Sequence, residues 1–143
     1  MNTVENPHPI AADLREDPYA YQQLVGFQII GWADGFAQVE LDLETKHGNR
    51  YGIPHGGLHA TLIDTAMGFC GSYTGDPANR QLVMTLSMTV NYLGQVQGKR
   101  LIATARKTGG GRSTYFAEAM VKDELGNPIA SGVGTFRLRS RNK

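Results

Sequence analysis

The sequence predicts an α+β domain in which an antiparallel sheet packs on one long central helix. Three observations point there. Only one long helical stretch is present, residues 57–73 (GLHATLIDTAMGFCGSY), among six shorter strand-like runs. Four of those runs follow the helix with no second helix between them, so the strand–helix alternation of a doubly wound parallel sheet is absent. The 18 glycines fall between apolar runs, as turns joining short strands require.

In chain order, residues 1–16 are polar and are expected to form a loose N-terminal segment of a single domain spanning 1–143. Residues 18–24 (PYAYQQL) suit a short helix with Pro18 in its first turn. Residues 25–32 and 36–43 read as strands. In the second, Phe36, Val39, Leu41 and Leu43 are apolar while Glu40, Asp42 and Glu44 intervene. Ala33, Asp34 and Gly35 between the two runs signal a hairpin turn. Residues 44–56 are polar and rich in Gly, Asn and Pro, hence a loop. After the helix, residues 81–93, 100–108, 113–122 and 129–138 are strand-like, with turns at 108–112 (TGGGR) and 123–128 (DELGNP).

Composition narrows the function. At 143 residues, 41% hydrophobic and 19% charged, the chain can bury a core. Fourteen basic residues against thirteen acidic leave a net charge of +1, with no bulk electrostatic footprint for nucleic acid or an anionic membrane. No apolar run approaches the ~20 residues that span a bilayer. The polar N-terminus (MNTVENPHPIAADLRED) has no apolar core of a secretory signal. A lone cysteine, Cys70, excludes an intramolecular disulfide and a thiolate zinc cluster, and the expected location is a reducing cytoplasm.

The long helix is two-faced. With ~100° per residue and Asp64 at zero, Gly57, Ala60, Thr61, Gly68 and Gly71 fall within roughly 60° of it. Leu58, Leu62, Ala66, Phe69, Cys70 and Tyr73 fall opposite, with Ile63 and Met67 flanking. The bulky face should pack on the sheet. The other is a stripe of small residues around Asp64, the only acidic residue between Thr45 and Asp76. An exposed helix face ordinarily carries Lys, Glu, Gln or Arg, so the stripe invites close approach by a backbone, a second subunit or a substrate. A solvent-facing Asp64, or one bonded structurally to a neighbouring loop, are the alternatives.

The start of the helix matters equally. Pro54, His55, Gly56 and Gly57 lead into it. Two glycines leave unpaired backbone N–H groups unshielded, with the helix dipole behind them, a place for an anion or a developing oxyanion. An ordinary glycine-rich helix start is the bland alternative. Asp64 lies about two turns further along the same face.

The run from Asn49 to Asp64 (NRYGIPHGGLHATLID) resembles the signature of the hotdog-fold acyl-CoA thioesterases of the phenylacetate-pathway (PaaI-like) family. The pattern is an Asn, a short spacer, His-Gly-Gly, and an acidic residue on the helix. The resemblance runs from about residue 24 to 138, through MTLSMTVNYL and ELGNPIASGVGTF. It implies a hotdog fold, a dimer or tetramer with sites at the subunit interface, and hydrolysis of acyl-CoA thioesters without metal or organic cofactor. By resemblance, Asp64 is the nucleophile or general base, and the Gly57 N–H polarises the thioester carbonyl with help from Gly56. Asn49 and His55 shape the site, and Thr85 helps place the attacking water. Gly111, Arg112 and Ser113 would line the CoA entrance, with Arg112 or Arg106 meeting its phosphates. The chemistry is self-consistent: a thioester is a reactive acyl donor, and a carboxylate suffices either to deprotonate water or to attack directly.

Other motifs read as decoys. The glycine-rich 108–113 stretch lies between strands and lacks the Gly-Lys-Ser/Thr ending of a phosphate loop. His55 and His59 are spaced for a metal but no third ligand is in evidence, and His59 falls with the bulky face. Asp42 and His47 mimic a hydratase motif in spacing alone. Cys70 lies on the apolar face, and Arg137, Arg139, Arg141 and Lys143 read as a solvated strand face. No serine-hydrolase elbow is present. Two further functions stay open: a non-catalytic acyl-CoA-binding module on the same fold, and an acyl-thioester dehydratase or hydratase. Phe69, Tyr73, Met84, Met88 and Tyr92 could line an aryl or an aliphatic acyl pocket.

Overall fold

The computed structural model describes residues 3–139. Its order is a 3-10 turn (Ala12–Leu14), α1 (Ala20–Val25), β1 (Gln28–Ala33), β2 (Phe36–Asp42), a second 3-10 turn (Thr45–His47), α2 (Gly56–Cys70), β3 (Leu82–Tyr92), β4 (Arg100–Gly110), β5 (Thr114–Asp123) and β6 (Pro128–Arg139). The strands form one six-stranded sheet in the order β1-β2-β4-β5-β6-β3, and every pairing is antiparallel. This is the expected α+β hotdog architecture. The β1–β2 hairpin, closed at Gly35 in the left-handed region (φ 72°), holds one edge. The chain then crosses through α2 to β3 at the opposite edge, and returns to fill the middle with β4, β5 and β6.

Most of the bulky face of α2 packs where the wheel places it, but Phe69 is half-buried and lines the cavity of Asp64, and Tyr73 lies beyond the end of the helix. Leu58, Leu62, Ile63, Ala66, Met67 and Cys70 are buried against Val39 and Leu41, Leu101 and Ala103, Tyr115 and Val121, and Phe136. The sheet positions under the helix are small: Ala103, Ala105, Ala117, Ala119 and Ala130 are all buried. Two glycines complete the close approach. A Cβ on Gly132 would stand 2.6 Å from Ile63 Cγ2, and one on Gly134 2.9 Å from Met67 Cε. The C-terminal carbonyls of α2 are satisfied from outside: Trp32 Nε1 donates to Phe69 O at 2.8 Å, and the buried Tyr115 hydroxyl lies 2.9 Å from Met67 O.

The N-terminal segment departs from expectation. Instead of lying loose, it covers the outer face of the first hairpin at Glu5, pairs with the edge of β1 through His8 and Ile10, and reaches the α2 side at Leu14. Ile10 N–H donates to Ile30 O at 3.0 Å, Trp32 N–H to His8 O at 3.0 Å, and Gln38 Nε2 to Glu5 O at 2.8 Å. Phe36 and Gln38 point away from α2 and are buried nonetheless, because this segment covers them. The cause is the apolar content hidden in a polar stretch: Ile10 and Leu14 are themselves buried.

Strand β3 carries a bulge that decides the site. Thr85 pairs with Phe136 and Ser87 with Thr135, leaving Leu86 as an extra residue. One extra residue exchanges the faces of everything after it. Val83 and Thr85 face α2 before the bulge; Met88, Val90 and Tyr92 face it afterwards. Met84 does not share a face with Met88 and Tyr92; it is exposed on the other side. On β6, Arg137 and Arg139 are exposed, while Arg141 and Lys143 lie outside the described residues. Among the described residues, no helix is long and apolar enough to cross a membrane.

Candidate active site

Asp64 is half-buried on the small-residue side of α2 and accepts a hydrogen bond from Thr85 Oγ1 at 2.7 Å. Two residues singled out separately are thus one pair. Asp64 lines a cavity of about 440 Å³ with an apolar part at Leu14, Tyr19, Trp32, Phe69 and Val83 and charged residues around it, Asp13, Arg15, Glu16, Asp76 and Arg80. Trp32 stands edge-on to Phe69 and Tyr73 at 5.2 and 5.6 Å between centroids, making a rigid aromatic wall. The N-terminal segment supplies the opposite wall, and Glu16 reaches Arg80 across the rim at 3.3 Å. Partial burial pushes the Tyr19 phenol above its ordinary value; a bond to Thr65 opposes this and the Asp64 carboxylate adds to it. Sequence reasoning missed Leu14, Tyr19 and Trp32 as parts of this site. For Leu14 the available signal is an apolar residue within the polar N-terminal stretch.

The entrance to α2 is built around one peptide unit. His55 is the N-cap, and its Nδ1 accepts the Gly57 N–H at 2.8 Å. The Gly57 N–H, expected to be free for a substrate carbonyl, therefore has a protein partner, although Gly57 is exposed. Gly56 is packed beneath Tyr92, whose hydroxyl donates to Gly56 O at 2.6 Å. Asn49 organises the approaching loop: its Oδ1 accepts Tyr51 N–H at 2.9 Å and Ile53 N–H at 3.4 Å.

The other candidates are dispersed. Gly111, Arg112 and Ser113 are exposed at the β4–β5 turn. Arg106 lies on the outer face of the sheet, over the Phe36 ring at 5.4 Å, in a separate cavity with Glu118. The structure does not bring it to Asp64. His59 is buried against Tyr92, and burial lowers its pKa, so the ring is neutral core. His47 is buried as well: its Nδ1 accepts Glu44 N–H and its Nε2 meets Val25 O at 2.7 Å, while Asp42 pairs with Arg100 at 2.7 Å. Both members of the hydratase-like spacing are thereby committed to structure. Cys70 is buried, and burial pushes its thiol up to about 12.

Comparison with known proteins identifies the family. The profile of the Thioesterase superfamily matches residues 51–130, from the loop before α2 into β6. A 1,4-dihydroxy-2-naphthoyl-CoA hydrolase of Listeria monocytogenes is 25% identical over 85% of this chain and 98% of its own length. The solved structure of conserved protein PA5202 from Pseudomonas aeruginosa superposes with a TM-score of 0.77 at 30% identity, over 92% of this chain and all of its own. The E. coli PaaI protein of the phenylacetic acid degradation operon shares the fold, with a TM-score of 0.73 at 21% identity over 84% of each chain. The chain belongs to the Thioesterase superfamily and is a hotdog-fold hydrolase of the thioesterase class.

Proposed function

We propose that this chain hydrolyses an acyl- or aryl-acyl-CoA thioester to the free acid and CoA, with Asp64 as nucleophile or general base. The observation that carries the reading is the half-buried Asp64 carboxylate, bonded to Thr85 and facing a cavity of about 440 Å³ with Trp32, Phe69 and Val83 in its wall. An acyl group fits such walls, and a carboxylate at its end is otherwise costly to hold away from water. The kinship to a naphthoyl-CoA hydrolase supports CoA as the thiol.

In the water route, Asp64 takes a proton from water, and the resulting hydroxide attacks the carbonyl carbon. The C–S bond breaks, and the proton passes to the departing CoA thiolate. In the direct route, an Asp64 oxygen attacks, CoA leaves, and water hydrolyses the mixed anhydride. Thr85 orients the carboxylate or the water in either case. Charge develops on the carbonyl oxygen, where the Gly57 N–H at the helix N-terminus would receive it once His55 Nδ1 gives way. Gly56 supplies the adjoining N–H, and Asn49 holds the loop that presents His55. No metal or organic cofactor enters these steps; CoA is part of the substrate.

The exposed Gly111–Arg112–Ser113 turn is the proposed contact for the CoA phosphates; Arg106 lies on the outer face of the sheet. Self-association is part of the reading. Strand β3 is a sheet edge of eleven residues whose Leu82, Met84 and Leu86 are exposed. Such an edge invites pairing, and pairing two copies places the Asp64 groove at the junction of a dimer, or of dimers within a tetramer. We assign the protein to the cytoplasm, where its single cysteine stays reduced.

The test is CoA release from a panel of benzoyl-, phenylacetyl-, short-, medium- and long-chain acyl-CoAs. Turnover of at least one is expected. Tight binding without release of thiol from any of them would instead identify an acyl-CoA-binding module.

A further inference from the structure

We propose that Tyr92 is a positioning residue: its hydroxyl holds the Gly56–Gly57 peptide so that the Gly57 N–H stays aimed at the thioester carbonyl when His55 releases it. This deepens the reading of Gly57 given above and rests on it.

The carbonyl of Gly56 and the N–H of Gly57 belong to one rigid, planar peptide unit. That unit is held at both ends. Tyr92 Oη donates to Gly56 O at 2.6 Å, and the Gly57 N–H donates to His55 Nδ1 at 2.8 Å. A carbonyl has two lone pairs, and a helix uses one of them, so the Tyr92 bond is compatible with the first turn of α2. When a substrate carbonyl displaces His55 Nδ1, one restraint is lost. The Tyr92 bond then keeps the peptide from rotating about its flanking dihedrals, which glycines on both sides leave soft. A bond accepted at the peptide oxygen also strengthens donation from the N–H of the same unit.

The packing fits this role. A Cβ on Gly56 would stand 3.3 Å from the Tyr92 ring, closer than ordinary contact, so glycine at 56 lets the ring settle over the peptide. The ring also meets buried His59, with centroids 5.7 Å apart. Tyr92 faces α2 because the Leu86 bulge exchanges the faces of β3, the same device that leaves Thr85 on Asp64. One strand thus bonds α2 at two places, Asp64 through Thr85 and Gly56 through Tyr92.

The test is Tyr92→Phe in the full chain, which keeps the ring and removes the bond. With the best acyl-CoA of the panel, kcat is expected to fall about tenfold with KM changed less than about twofold. The Gly57 amide should shift in the 1H–15N spectrum of the ligand-free protein, and the melting temperature should move by less than about 2 °C. Gly56→Ala, which crowds the ring, should lower kcat in the same direction. Unchanged kcat with an active wild type, or an unmoved Gly57 amide, would overturn the proposal. So would a loss that appears in KM alone, which would mark a substrate contact. If the wild type cleaves no acyl-CoA, the functional reading fails, and the Gly57 amide alone decides whether Tyr92 holds the peptide.

Discussion

The Thr85 hydroxyl on β3 and the Asp64 carboxylate on α2 meet at 2.7 Å, an edge strand touching the central helix on the side away from the core. Thr85→Val keeps the shape of the side chain and removes the bond. We expect kcat to drop about tenfold, the scale of one hydrogen bond to a charged group, with little change in melting temperature. Steady-state kinetics on the purified variant checks this.

Asp123 at the end of β5 is fully buried and accepts bonds from Gln97, Gly98 and Leu125 N–H and from the backbone and side chain of Asn127. Burial by itself would raise its pKa, but these donors outweigh burial and hold it below the ordinary value. A carboxyl depressed in the folded state contributes stability above its unfolded pKa, and that contribution is lost as pH falls through the folded value. Asp123→Ala should cost more than about 3 kcal/mol in urea unfolding at pH 7. Its midpoint should also fall less than that of the wild type between pH 5 and pH 2.

The helix sits close to β6 because Gly132 and Gly134 leave room for Ile63 and Met67. Gly132→Ala should destabilise by about 1–3 kcal/mol through overpacking. In an Ile63→Ala background, which removes the Cγ2 methyl that the new Cβ meets, Gly132→Ala should cost less than it does beside Ile63. Denaturant midpoints of the two single variants and the double give the coupling.

His55 caps α2 through Nδ1. His55→Ala should cost about 1 kcal/mol of stability, while His55→Asn, which retains an acceptor, should restore most of it. Thermal unfolding of the three proteins is the measurement.

Much of this was legible in the sequence because it follows from period and punctuation. The face of α2 that carries Leu62, Ala66 and Cys70 is fixed by helical spacing, and the hairpin at Gly35 by its turn residues. Asp64 stands out as a lone charge among small residues, and His-Gly-Gly as the start of the helix. Hidden from such reasoning was anything set by one irregular residue. Strict alternation along β3 puts Met84 with Met88 and Tyr92, and the bulge at Leu86 breaks that. The order of the N-terminal segment is hidden too, because its few apolar residues, Ile10 and Leu14, are buried by tertiary packing that no local period reveals. The partner of the Gly57 N–H was equally unreadable, since a histidine at the N-cap can point its ring either way.

The central claim is that the Asp64 carboxylate performs the chemistry, and Asp64→Asn tests it most directly. Single-turnover CoA release by the variant, under saturating acyl-CoA that the wild type cleaves, should be slower by a factor of about 10² or more, with substrate affinity retained. Release at the wild-type rate from a correctly folded Asp64→Asn protein would contradict the account.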